Sequence, residues 1–334
     1  MATRQAKADP QTEALLKRLD DLVERWPDLA EPAAFYRAAL PALRAAQKNI
    51  EPFTLDAEAA KRKLESGLPL LVGEDLPLDV EATRDLFLRL CRIVENTAPE
   101  EAKASRPGWG LRLAKRGQPD SLKLIEQARN GNGAALRAAA AGQIRRAVEG
   151  KGGTSGRPLL DLSTIWAALA LGDWRRLELI ATSLKLDAEL LRLLAQNSLK
   201  PAMRVWAQGL KNVDLDDWRR GQCPLCGSPP LLTEIQGKEG ERRLRCGVCG
   251  ASWHYPRLQC VLCNNQNYKQ LGYITVEGEE EKYSLQTCDA CRGYLKVVVT
   301  YDPIPVAQLP VEDLATLHLD LIAAEREYTR APAR

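Results

Sequence analysis

Histidine occurs only twice in these 334 residues, at His254 and His318, and aromatic residues make up 5% of the chain. So little imidazole leaves few groups able to move protons near neutral pH, and no GxSxG or HExxH pattern marks a nucleophile elbow or a catalytic zinc site. A classical hydrolase is therefore not expected. No apolar run approaches the roughly 18 residues that a membrane span needs, and Ile165 to Leu171 reads as a short piece of buried helix. The opening MATRQAKADPQTE has no apolar stretch after its positive charges, so no secretory signal is expected and the cytoplasm is the expected compartment. Cysteine is also scarce over the first 222 residues, where Cys91 stands alone, which argues against a disulfide framework for the whole chain.

What is present is an ordinary globular composition, with 45% hydrophobic and 27% charged residues. At roughly 150 residues per domain the length suggests about two domains. From about Gln11 to Asn212 the dominant period is helical. Leu15, Leu16, Leu19, Leu22, Val23 and Trp26 make one apolar stripe ended by Pro27, and Leu86, Phe87, Leu90, Cys91 and Val94 make another, with Cys91 as a buried small hydrophobe. Further helices are expected near 31–49, 120–130, 133–149, 158–171, 174–185, 187–197 and 201–211, with Asp173 and Asp187 as N-caps. Trp166, Trp174 and Trp206 fall among aliphatics at helical spacing and read as core. Gly150 to Pro158 is glycine-rich, yet Lys151 is followed by Gly152 rather than Ser or Thr, so it is an interhelical loop rather than a phosphate-binding one.

After Asp214 the texture changes to strand-length runs, among them Leu271–Val276 and Tyr294–Thr300, with polar turns at 236–240 and 277–281. From Val311 to Tyr328 a helical period returns, as expected of a terminal helix packing back on the body. The expected architecture is multi-domain: an all-α helical domain over 1–214, two tandem small-β modules over 215–258 and 259–305, and a C-terminal helix within 306–334.

Eight of the nine cysteines fall in four CxxC pairs: Cys223/Cys226, Cys246/Cys249, Cys260/Cys263 and Cys288/Cys291, separated by 19, 10 and 24 residues. A CxxC turn presents two sulfurs to one ion, and two such turns at the ends of a hairpin complete a tetrahedron. The first and third gaps suit zinc-ribbon hairpins, so the first pair is expected to join the second, and the third the fourth. A nested or cross-braced pairing also satisfies the spacing. His254 reads as a residue beside the site or on the surface, and His318 as packing. Arg242, Arg243, Arg245 and Arg257 cluster around the first module, either offsetting thiolate charge or forming a solvated basic face. Sites of this kind are closed: they stabilise a small fold, transfer one electron if the ion is iron, or release metal when oxidised.

The run Leu244 to Cys263, LRCGVCGASWHYPRLQCVLC, preceded by Cys223-Pro-Leu-Cys226-Gly-Ser-Pro, closely resembles the formate dehydrogenase accessory protein family, FdhE. The resemblance implies a helical N-terminal region followed by two rubredoxin-like modules, and a cytoplasmic maturation factor rather than an enzyme. It also implies contact with the catalytic subunit of a respiratory formate dehydrogenase, and iron as the ion, with zinc the alternative. Gly227 and Gly250 match the rubredoxin pattern after each knuckle, whereas Asn264 and Arg292 depart from it. A second function class is a zinc-ribbon nucleic-acid-binding protein. Against it, residues 221–300 carry 9 Lys and Arg and 8 Asp and Glu, and two tetrathiolate sites of about −2 each turn that block negative. Thiol–disulfide exchange is a third class, and it requires thiols free of metal.

Overall fold

The computed structural model describes residues 10–73, 76–97, 133–150 and 158–330. The helix expected near 120–130 and most of the Gly150–Pro158 loop lie outside these residues. The helical body comprises α1 (Pro10–Arg25), α2 (Ala30–Gln47), α3 (Ala57–Glu65), α4 (Val80–Thr97), α5 (Gly133–Glu149), α6 (Leu162–Leu171), α7 (Trp174–Ser183) and α8 (Ala188–Gly209). Asp173 and Asp187 cap α7 and α8 by accepting from the backbone N–H groups of Arg176 and Leu190, and Asp161 caps α6 in the same way. Cys91 is fully buried in the main core.

One departure from the expected pattern is α8, which runs unbroken through Pro201 where two helices were expected. Proline in a helix interior costs about 3 kcal/mol. Here the helix lies among α2, α4, α5, α6 and α7 and buries residues on several faces, so tertiary packing outweighs the break. A second departure is Trp174, which starts α7 half-exposed beneath the Arg192 guanidinium, while Trp166 and Trp206 are buried as expected. Helix α3 was not foreseen; its nine residues carry one buried alanine, too little apolar periodicity to read.

Six strands follow: β1 (Leu232–Gln236), β2 (Glu241–Arg245), β3 (Ser252–His254), β4 (Leu271–Thr275), β5 (Tyr283–Cys288) and β6 (Gly293–Thr300). They form one sheet in the order β3-β2-β1-β6-β5-β4. Each cysteine-bearing half is an antiparallel three-strand unit, and the two halves are joined by a parallel β1–β6 pairing that sets Thr233 opposite Val297. Strand β6 is thereby central, and its first six residues, Lys296 among them, are buried on both faces.

The C-terminal helical segment is α9 (Leu309–Ala315) and α10 (Leu317–Glu325) rather than a single helix. Thr316 separates them; its Oγ1 donates to the Glu312 carbonyl at 2.8 Å, a local bond that competes with helix continuation. These helices cover the β6 face carrying Tyr294, Lys296 and Val298. The Lys296 ammonium, fully buried, lies 2.6 Å from Asp313 and 2.8 Å from Asp320, and Tyr294 donates to Asp320 at 2.7 Å. Arg330 pairs with Asp313 and donates to the Leu231 carbonyl at 2.9 Å. At the other end of the chain, α1 packs its Leu15 and Leu19 against Val311 and Leu314 of α9, with Arg18 paired to Glu312.

This ion network makes stability depend on acid. Burial raises the Asp313 pKa, but Arg330 and Lys296 outweigh it and hold the carboxyl well below the usual carboxylate range. A depressed native pKa contributes stability above the unfolded value near 4, and that contribution is lost as pH falls. Melting temperature is expected to decline as pH is lowered below about 4, and Asp313→Asn, measured over the same range, is expected to show a shallower decline from a lower starting point.

Candidate metal centres

Three of the four CxxC pairs fold into the same turn. The Gly227 N–H donates to the Cys223 carbonyl at 2.9 Å and the Cys223 N–H to that of Ser228 at 2.9 Å. Gly250 and Cys246, then Asn264 and Cys260, repeat this pair of bonds with carbonyl partners at 2.8–3.1 Å. Each turn needs a left-handed residue after the second cysteine, and φ is +73° at Gly227, +84° at Gly250, +62° at Asn264 and, after the fourth pair, +54° at Arg292.

The turns bring the sulfurs together in sequential pairs. Cys223, Cys226, Cys246 and Cys249 form one group, and Cys260, Cys263, Cys288 and Cys291 the other, with the four sulfurs of each within 4.8 Å of one another. In the first group the Cys223–Cys249 and Cys226–Cys246 sulfur separations are both 3.5 Å; in the second, Cys260–Cys291 is 3.8 Å and Cys263–Cys288 is 3.7 Å. A tetrahedral ion with metal–sulfur bonds near 2.3 Å separates its sulfurs by about 3.8 Å. These spacings fit such an ion, and all eight thiols are free of disulfides. His254, on β3, and His318 lie in neither group. His318 instead pairs with Glu279 at 2.8 Å and stacks on Trp26.

Electrostatics in the first group also fit a cation. Burial pushes Cys223 well up, and hydrogen bonding among the sulfurs raises Cys249 while holding Cys246 well below a normal thiol. Four adjacent thiols thus share few negative charges among themselves, and it is a bound ion that ionises the full set. Of the four arginines around the first module, for which offsetting thiolate charge was one of two readings, Arg242 and Arg245 are buried and engaged elsewhere: Arg242 donates to the Pro256 and Gln259 carbonyls and to Gln286, and Arg245 pairs with Glu234 and donates to the Ile304 carbonyl. Arg204 of α8 takes their place. Its Nε is buried with no hydrogen-bond partner, and the guanidinium lies within electrostatic reach of Cys246 and Cys249. A tetrathiolate around a divalent ion, of net charge about −2, would supply that counter-charge. Nothing in the local sequence around 204 signals this role.

The first group is built into the helical body. Leu70 and Leu71, in the strap between α3 and α4, donate their N–H groups to the carbonyls of Pro224 and Leu225 at 2.9 and 2.7 Å. Lys63 holds the strap by donating to the carbonyls of Leu70 and Val72 at 3.0 and 2.6 Å. The four cysteines, Trp253 and Tyr255 share one hydrophobic core with α2, α4, α5, α6 and α8. In the second group Cys260 burial and the neighbouring sulfurs raise its pKa to about 11, while backbone N–H groups and Asn265 bring Cys288, against burial, down to about 7. There the Cys263 side chain is exposed and that of Cys291 partly so.

Comparison with known proteins places these groups. Residues 222–257 match the family described as FdhE, central domain, and residues 258–334 match FdhE, C-terminal domain. An FdhE homologue of Stutzerimonas stutzeri is 36% identical over 132 residues, covering 37% of this chain and 42% of that protein. One of Aquifex aeolicus is 32% identical over 160 residues, covering 46% and 55%. Protein FdhE of Escherichia coli is 32% identical over 115 residues, covering 34% and 36%. The matched region thus spans about half the length of these relatives, or less. The crystal structure of FdhE from Pseudomonas aeruginosa superposes with a TM-score of 0.52 at 23% identity, covering 97% of this chain and 95% of that one, so the fold is shared. The cysteine-bearing part of this chain, residues 222–334, accordingly matches, in order, the central and C-terminal domains of the FdhE family.

Proposed function

We propose that this chain is a maturation factor for a formate dehydrogenase, meeting its catalytic subunit in the cytoplasm and held in shape by two tetrathiolate ions. One observation carries the reading: both four-sulfur groups lie inside the stretch that matches the FdhE domain pair. The chemistry is that of a binding protein. A tetrathiolate leaves no open position at which water is activated, so each ion acts on shape and, if it is iron, on electron count. No helix among the described residues is long and apolar enough to cross a membrane. The nucleic-acid reading gains nothing from Arg242 and Arg245, which are buried and do not present a basic strip.

Capture of a formate dehydrogenase catalytic subunit by tagged chain, in cells blocked in export of that enzyme, is the expected result; a pull-down that repeatedly lacks the subunit counts against the reading. Metal analysis of protein purified without oxygen is expected to return two ions per chain, with iron identified by a red thiolate charge-transfer absorption. Metal-free protein whose eight clustered thiols alkylate rapidly refutes the tetrathiolate reading.

Arg204→Met separates an electrostatic role from packing. Loss of a part-buried cation whose Nε has no partner is expected to raise the melting temperature of metal-stripped protein, while loss of the counter-charge lowers that of loaded protein, each by several degrees for a change of about 1 kcal/mol. Destabilisation of both forms alike leaves Arg204 as a packing residue only.

A further inference from the structure

The two sulfur groups offer an ion the same ligands but not the same access. In the first, Cys223, Cys226, Cys246 and Cys249 are between 0 and 7% exposed. Both of its turns are covered. A methyl group added at Gly227 would lie 3.3 Å from Pro69 Cγ of the strap, and one at Gly250 only 2.4 Å from Val306 Cγ1. In the second, Cys260 and Cys288 are buried, but Cys263 is exposed and Cys291 partly so. The residues after its turns are Asn264 and Arg292, both exposed at positive φ. Their side chains lie where the first group has glycine: Asn264 accepts from the Tyr255 hydroxyl at 2.9 Å, and Arg292 lies over the Tyr328 ring. Arg292 is met by the C-terminal segment, whose Thr329 N–H donates to its carbonyl at 2.8 Å, so the open side of this centre is the one at Cys263 and Asn264, both exposed.

We propose that the Cys260/Cys263/Cys288/Cys291 centre exchanges a divalent thiophilic ion with small thiols or chelators while the chain stays folded, and that the Cys223/Cys226/Cys246/Cys249 centre releases its ion only when the fold opens. This rests on the tetrathiolate reading above. Ligand substitution starts where an incoming donor reaches the metal as one thiolate leaves, and Cys263 is the sulfur that solvent reaches. Release from the first centre requires lifting the Leu70–Leu71 bonds off the knuckle and parting the core that holds it, an opening that approaches global unfolding in cost. The second centre is therefore the part whose loading the surroundings can change without dismantling the molecule.

Full-length chain loaded with two zinc ions and mixed with excess pyridylazoresorcinol tests this directly. Two phases of one ion each are expected, differing in rate by at least about tenfold, with far-ultraviolet circular dichroism unchanged through the first. N-ethylmaleimide added between the phases, followed by peptide mass mapping, is expected to label Cys260, Cys263, Cys288 and Cys291 and to spare the other four. Cys263→Ser is expected to lose the fast phase and keep the slow one. Release of both ions in one phase, first labelling at Cys223, Cys226, Cys246 or Cys249, or loss of helical signal with the first ion each overturns the proposal while leaving the tetrathiolate reading intact. A full-length chain that takes up no zinc overturns both.

Discussion

Four buried sulfur atoms where helices meet sheet, with the part-buried Arg204 beside them, are the constraint around which this molecule is organised. Charge in a low-dielectric core is tolerated only when compensated. In the proposed reading the compensation is mutual: an ion would ionise Cys223, Cys226, Cys246 and Cys249, and the resulting negative centre would give Arg204 its partner. Because the Leu70–Leu71 strap bonds the first knuckle and α8 brings Arg204, the helical body would be fastened to the same ion that closes the first ribbon. Metal binding and docking of the two parts of the chain would then be one event, the free energy of the first stabilising the second.

The second centre enters this arrangement through the sheet. Parallel pairing of β1 with β6 ties the second ribbon to the first, and the two acidic helices α9 and α10 lock the central strand by clasping Lys296. Removing one partner from such a buried pair strands a charge, which is why the cluster is costly to alter even though an apolar replacement of the whole set need not be. The packing of α1 on α9 then draws the opposite ends of the described chain together.

What was legible in the sequence is what local chemistry encodes. The CxxC spacing marked the eight sulfurs and favoured their sequential pairing without deciding it, since a knuckle and a ribbon hairpin are short-range structures whereas a cross-braced pairing fits the same spacing. The 3.6-residue period marked the principal helices, and Asp173 and Asp187 marked where two of them start. Long-range choices left no such trace. The β1–β6 register joins residues more than sixty positions apart, and nothing in either strand names its partner. Pro201 and Thr316 show the same limit from opposite sides: a helix breaker overruled by dense packing, and a modest helix former that nonetheless splits a periodic segment through one hydroxyl bond. Arg204 escaped notice because an arginine in an amphipathic helix ordinarily faces water, and only the tertiary fold turns this one toward sulfur.

The residue after each knuckle illustrates how a local departure acquires meaning from its surroundings. The backbone there is left-handed in all four cases, and glycine is the least strained choice. Asn264 and Arg292 accept the strain, so their presence calls for a reason other than the turn. Gly250 lies beneath Val306, where a side chain would collide, and Gly227 lies close under Pro69, whereas the side chains at 264 and 292 find partners of their own in Tyr255 and Tyr328. Departure from the glycine pattern thus reports different neighbours at the second centre and says nothing about a different ion, because the donor set at both centres is the same four thiols.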